Sequence, residues 1–269
     1  IKGFPRRSLH VYGLPLPTEY ANVTAHPCPE RAKGDAWTAI DPRVPWLRQL
    51  LVRLAPAKVL IICAHAQTVM ALRDYLLDRC AIHAAMFHEH MEIVARDRAA
   101  AFFADPEEGS QALICSEIGS EGRNFQFAHH LVLFDLPIEP DLLEQRIGRL
   151  DRIGQRETIE LHVPYLHGTA GEVLMHWYRD GLGSFEAICP AAGAIFERLR
   201  DRLQAALAEP DQVGELIVAA AELTQRLNAQ LEAGRDRLLE IHSCRSEQAS
   251  ALLRQLQHPA EEVPLREFM

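Results

Sequence analysis

The stretch Lys58-Val-Leu-Ile-Ile-Cys63 decides the fold. Its apolar residues are continuous rather than alternating, and the run is far too short to cross a membrane. A strand of that kind is buried on both faces, as in the middle of a parallel sheet. Upstream, Asp41-Pro42 is a plausible cap and first turn for a helix through Leu54, with Leu47, Leu50, Leu51 and Leu54 on one face. Downstream, the pattern predicts a helix over Thr68–Asp78, a strand near Ile82–Phe87, a helix over Met91–Phe103, then strands at Ala112–Cys115 and Leu131–Phe134. An arginine-bearing helix and a strand at Ile159–Val163 follow. Strands separated by helices predict an α/β fold, a parallel sheet with helices on both faces.

The flanks differ. Residues 1–40 are broken by Pro5, Pro15, Pro17, Pro27, Pro29 and Gly34, with one edge strand expected around Leu9–Leu16. After Pro164 the chain turns to Ala/Leu/Glu/Arg helical stretches, clearest over Ala191–Ala208 and Glu215–His242, with Pro210 between them. The expected division is a linker over 1–40, an α/β lobe over 41–166 and a helical extension over 167–269. Ile1 rather than Met opens the chain, which points to a piece of something longer.

The formal net charge of −9 argues against a protein that coats nucleic acid nonspecifically. Charge is uneven, however: residues 169–269 hold 10 basic and 16 acidic side chains, whereas four arginines crowd Leu143–Arg156. A nucleic-acid site is therefore allowed locally. The six cysteines show no CxxC pairing, which points to a reducing cytoplasm, with Cys63 and Cys115 as buried thiols. His88-Glu-His90 and His129-His130 lack metal-site spacing and partners, so no metal site is expected. No membrane span or signal peptide is seen.

In open α/β sheets ligands bind beyond the carboxyl ends of the strands. Two segments load that edge. Gln145-Arg-Ile-Gly-Arg-Leu-Asp-Arg-Ile-Gly-Gln155 spaces Arg146, Arg149 and Arg152 three apart. Read as a helix, it aims Arg149 and Arg152 nearly the same way, at a target suited to two guanidiniums such as a triphosphate. Ser116-Glu-Ile-Gly-Ser-Glu-Gly-Arg-Asn-Phe-Gln126 sets Gly119 and Gly122 where backbone must turn sharply, with Ser116, Ser120 and backbone N–H groups suited to phosphate oxygens and Asn124 to a ribose hydroxyl. Alone, the first is a solvated arginine face and the second a turn. On one sheet edge they become a site.

The order strand–SEIGSEGRNFQ–strand–FDLP–QRIGRLDRIGQ resembles motifs V and VI of the superfamily-two helicase-like motors, and KVLIICAH (58–65) resembles motif IV. The RIGQ ending resembles the Swi/Snf-type double-stranded DNA translocases. IKGFPRR, DPRVPWL, RDRAAAFFA, PDLLEQRIGRLDRIGQ, HVPYL and GRDRLLEIHS make the likeness closer still to their bacterial RNA polymerase-associated, RapA-type branch. The resemblance spans residues 1 to about 243. It implies a RecA-like second helicase lobe with a helical extension. Arg149 and Arg152 then match arginine fingers for the γ-phosphate of ATP, and Gln145 and Arg146 match residues that order the interlobe cleft. Gly122 and Asn124 match the loop near the nucleotide ribose. Ser116, Gly119 and Ser120 fall on the DNA side of that loop, and His65 at the end of motif IV. Gln155 matches the Swi/Snf-type terminator. Ile138-Glu139 stand where the family usually has Trp-Asn.

No G-x-x-x-x-G-K-[ST] phosphate loop is present in the chain. The resemblance places that loop, and most of the contacts to ATP with Mg, on a first RecA-like lobe of the same protein, so this fragment alone is expected to be inactive. The implied partners are double-stranded DNA and the RNA polymerase core, in a bacterial cytoplasm and at the nucleoid. Two other readings stand beside it: an RNA-directed or general remodelling helicase lobe, and a non-catalytic protein-interaction module.

Overall fold

Val59–Cys63 forms a five-residue strand, β2, buried along its whole length, in the computed structural model, which describes residues 5–117, 125–152, 154–231 and 233. It pairs in parallel with β4 (Ala112–Ser116) on one side and β5 (His130–Leu133) on the other. β3 (Ala84–Phe87) lies beyond β4. On the opposite flank β6 (Ile159–Leu166) pairs with β5, and β1 (Arg7–Leu14) pairs with β6 from Arg7↔Ile159 to Leu14↔Leu166. The six-stranded order is β1-β6-β5-β2-β4-β3, every pairing parallel.

The continuous apolar run is explained by burial on two faces. Val59, Ile61 and Cys63 join Ala112, Ile114 and Val132 in one core, closed by α1 (Arg43–Leu54) and α2 (Ala66–Cys80) through Leu47, Leu50, Leu51, Val69, Leu72 and Leu76. The intervening Leu60, Ile62, Leu113, Cys115, Leu131 and Leu133 point the other way and are also fully buried. Each such aliphatic side chain contributes roughly 1.5–3 kcal/mol on leaving water. This is the RecA-like sheet with helices on both faces that the sequence predicts.

Boundaries shift modestly. β6 runs on to Leu166 rather than stopping at Val163, because Pro164 lies past the last β5 pairing, Val132↔His162, where no ladder bond to β5 is lost. α3 occupies Ile93–Ala104 and α4 Pro140–Ile147, with Pro140 in the first turn where its missing N–H costs nothing. Beyond β6 come α5 (Ala170–His176), a π-helical turn at Trp177–Leu182, α6 (Ala192–Ala208) and a helix from residue 213 described as far as 231. The buried Tyr178 hydroxyl donates to the Pro137 carbonyl, tying the π-helical turn to the loop after β5. A Cβ on Gly181 would lie 3.0 Å from that of Ala220, so glycine is what lets the 213 helix close on the turn. The chain divides into two compact units, Ile1–Thr224 and Gln225–Met269. The part of the expected Glu215–His242 helix beyond 233 lies outside the described residues.

The topology positions the site. From β2 the chain moves outward to β3, returns to β4, then crosses to β5 on the far side of β2. The carboxyl ends of β2, β4 and β5 therefore surround a switch point, where open α/β sheets hold ligands.

Candidate nucleotide and nucleic-acid interface

Three loops leave that edge, and Asp135 joins two of them. Asp135 directly follows Phe134 at the end of β5 and is buried. Its Oδ2 accepts from the Ala64 N–H at the end of β2 (2.8 Å), and its Oδ1 accepts from Arg146 Nη1 (3.0 Å). Arg146 Nη1 also donates to the Asp135 carbonyl (2.6 Å), while its Nε donates to Glu117, the first residue after β4 (2.8 Å). One α4 arginine, 2% exposed, thus ties together the loops that leave β4 and β5. Burial disfavours its charge, but Asp135 and Glu117 more than offset this and hold the guanidinium above its ordinary pKa.

The loop after β4 and the arginine segment do converge, but just before the amino ends of β5 and β6 rather than at the carboxyl edge expected from the sequence, because the loop must return across the sheet to start the next parallel strand. The Phe125 N–H donates to the Arg149 carbonyl (3.3 Å). Gln155 closes the other end: its Nε2 donates to the Gln126 and Ala128 carbonyls (3.0 Å each), and its Oε1 accepts from the N–H groups of Arg156 and Glu157. The matched terminator glutamine is therefore a clamp between the two segments.

The helical reading of the arginines needs correction. α4 ends at Ile147, and residues 148–150 form turns. The N–H groups of Arg149 and Leu150 donate to carbonyls three residues back, those of Arg146 and Ile147. Gly148, a poor helix former, sits at the break, and Leu150 is fully buried beyond it. Arg149 and Arg152 consequently do not share a helix face. Arg149 is 8% exposed, whereas Arg152 is exposed, with its Nε on the Gly148 carbonyl (3.1 Å). Of the two, Arg152 is the arginine open to an incoming ligand; Arg149 is buried in the turn.

The remaining predicted residues are dispersed. Gln145 is exposed on α4. His65 caps the start of α2, its Nε2 3.3 Å from Arg31 Nη1. Ser116 is buried, and its hydroxyl donates to Glu89 (2.5 Å) rather than facing outward. Burial pushes the Glu89 carboxyl up, but this bond and the adjacent His90 and His88 outweigh it, leaving Glu89 below the usual range. Gly119, Ser120, Gly122 and Asn124 lie outside the described residues.

Sequence reasoning missed a buried charge hub behind the edge. Arg43 donates to Asp41 (2.7 Å), Glu30 (2.9 Å) and the Phe134 carbonyl (3.3 Å), and stacks on the Phe134 ring at 4.5 Å. Tyr20 donates to Asp41 and Thr68 to Glu30. Cys28, Glu30 and Asp135 bring three potential metal-ligand atoms within 4.8 Å of one another. Those carboxylates already accept from Arg43, Thr68, Ala64 and Arg146, so the group reads as the anionic half of an ion-pair hub. Asp41 and Arg43 are neighbours in sequence, but Glu30, Thr68 and Phe134 lie 13 to 91 residues from their partners, and spacing does not reveal them. On this edge the carboxylate of Asp135 is spent on Arg146 and Ala64, and a magnesium ion accompanying a nucleotide would need ligands from elsewhere.

Residues 43–154 match the helicase conserved C-terminal domain, and residues 158–269 match the C-terminal region of the RNA polymerase recycling family. Among solved structures, the C-terminal part of the Fun30 ATPase domain is similar at 18% identity and TM-score 0.48, over 65% of this chain and 56% of that one. The Sulfolobus solfataricus SWI2/SNF2 ATPase core in complex with dsDNA is similar at 16% identity and TM-score 0.47, over 74% and 50%. The E. coli DEAD-box protein SrmB, bound to the regulator of ribonuclease activity RraA, is similar at 18% and 0.43, over 59% and 79%. The chain thus spans about half the length of the first and second of these. Among the described residues no helix is long and apolar enough to cross a membrane.

Proposed function

Because this chain joins a helicase-type C-terminal lobe to an RNA polymerase recycling C-terminal region, of the RapA type within the Swi/Snf-like ATPases, we propose that it is the second motor lobe of an ATP-dependent double-stranded DNA translocase that associates with RNA polymerase and recycles it. The observation that carries the reading is the convergence of the loop after β4 with the arginine segment: Phe125 on the Arg149 carbonyl, Gln155 across both segments, and Arg152 exposed beside them.

On this reading a first lobe holds ATP and Mg, and this lobe supplies positive charge in trans. Arg152 reaches the terminal phosphate from its exposed position, and Arg149 backs it from the turn. Arg146 and Asp135 hold the supporting loops, so that interlobe closure at the arginines is transmitted to the loop after β4. That loop, with Ser116, Gly119 and Ser120, follows the DNA backbone together with His65, while Gly122, Asn124 and Gln145 complete the nucleotide side. We keep the division into linker (1–40), motor lobe (41–166) and extension (167–269) as a functional one, with the extension as a candidate for polymerase contact. The protein would act in the bacterial cytoplasm, at the nucleoid.

The test is ATP hydrolysis by the longer protein that contains this chain. Double-stranded DNA stimulates it, and Arg152→Ala lowers kcat by roughly 10³–10⁵, the effect of losing an arginine finger. Equal stimulation by RNA contradicts the DNA assignment, and full activity of Arg152→Ala contradicts the finger.

A further inference from the structure

The turn that carries Arg149 and Arg152 is held from an unexpected direction. Arg7, the first residue of β1, sits at the amino end of the sheet and sends its guanidinium onto α4 and the turn. Its Nε donates to Asp151 (2.6 Å), its Nη1 and Nη2 fork onto Glu144 of α4 (3.2 and 3.0 Å), and Nη1 also reaches the Ser184 carbonyl (3.3 Å). The Arg7 and Asp151 side chains are 4% and 5% exposed. Asp151 lies between the two finger arginines. Its Oδ1 is buried with no hydrogen-bond partner among the described residues, so Arg7 is the donor that neutralises this carboxylate.

The backbone bonds of the turn are all local: the N–H groups of Gly148, Arg149, Leu150, Asp151 and Arg152 donate to carbonyls of residues 144–150. They shape the turn without tying it to β1, and that tie is made by the Arg7 side chain. Arg7 is itself fixed by strand register, opposite Ile159 at the start of the β1–β6 ladder. A bidentate arginine transmits orientation as well as charge, which a lysine at the same place does not.

We infer that Arg7 is a positioning residue for the arginine fingers, acting through Asp151 and Glu144 to set where the Gly148–Arg152 turn presents its guanidiniums. This rests on the reading of the chain as a second motor lobe. On that reading the strand also connects to the first lobe, so the element that joins the lobes carries the residue that aims the fingers.

The experiment uses the longer protein with its first lobe and compares Arg7→Met, Arg7→Lys and Asp151→Asn with the parent. Arg7→Met lowers DNA-stimulated kcat about 100-fold, as a displaced catalytic group does, with KM for ATP held within about threefold. Arg7→Lys restores part of the loss by pairing with Asp151 without the fork. Asp151→Asn, which keeps the shape, gives the same pattern more weakly and serves if Arg7→Met does not fold. Amide exchange is read in parallel: residues 148–155 of the folded variants exchange about tenfold faster while α6 is unchanged. Unchanged exchange at 148–155 overturns the inference, as does a loss of kcat matched by equal loosening of α6 and no rescue by lysine. If the parent protein shows no ATP hydrolysis, the motor reading has failed, and the exchange measurement alone then decides whether Arg7 holds the turn.

Discussion

Two arginine sites in this lobe are built on opposite principles. Around Arg43 every direction of the guanidinium is taken: Asp41, Glu30, the Phe134 carbonyl and the Phe134 ring. At Arg152 the side chain stands in solvent, and among the described residues its hydrogen-bond partner is its own turn's Gly148 carbonyl. A spent, buried arginine stabilises the loops around it and has nothing left for a ligand. An exposed one, raised on a turn braced by Arg146, Gln155 and Arg7, keeps its charge available. The lobe thus separates the arginines that build it from an arginine that stays open to a ligand.

Breaking the scaffold side has the largest effect. Arg43→Met leaves Asp41 and Glu30, each 1% exposed, as uncompensated buried charges, and is expected to destabilise the fold by about 3–5 kcal/mol in chemical denaturation. Loss below about 1 kcal/mol contradicts the hub. Arg152→Ala should leave the same denaturation midpoint within about 0.5 kcal/mol, since its side chain is exposed.

A second scaffold effect is acid sensitivity in the flank β1-β6-β5. His162 stacks on His10 at 5.0 Å, accepts or donates to Tyr12 Oη through Nδ1 (3.1 Å), and meets His130 Nδ1 with its Nε2 (3.1 Å). Burial first, then the neighbouring histidines, hold His162 down to about 3; burial and the charge of His129 hold His130 down to about 4. The folded form therefore resists protonation that the unfolded chain accepts near 6.5. Stability from these groups is fully present above about pH 6.5 and is lost as pH falls toward 4 and then 3. By pH 5 the loss is about 2 kcal/mol for His162 and less for the partly exposed His130. His162→Gln should flatten the dependence of the unfolding midpoint between pH 7 and 5; an unaltered slope rules the histidine out as its source.

The smallest effect lies at the join between scaffold and working turn. Gln155→Ala removes the bonds to the Gln126 and Ala128 carbonyls and should cost about 1–2 kcal/mol. Because the clamp is local, its loss should speed amide exchange at 125–128 and 148–155 more than in β2. Uniform loosening speaks against a clamp.

The parallel sheet was legible because its strands are continuous apolar runs, and burial on two faces leaves little else for such runs to be. That the loop after β4 meets the arginine segment was legible, but not where: the contacts fall just before the amino ends of β5 and β6, not at the carboxyl edge. The orientation of the arginines was not legible. Three-residue spacing reads as a helix, but Gly148 weakens it and Leu150 gains more by burial in a turn. The ion-pair hub and the Arg7 brace escaped entirely. Arg7 meets Asp151 across 144 residues, a separation at which no local pattern predicts contact.

The central claim is that these arginines act on a nucleotide held by another lobe. Its most direct test is ATP hydrolysis by this chain purified alone, beside the longer protein, each with and without double-stranded DNA. The account predicts no turnover by the chain alone and DNA-stimulated turnover by the longer protein. Turnover by the chain alone that disappears in Arg149→Ala would contradict it.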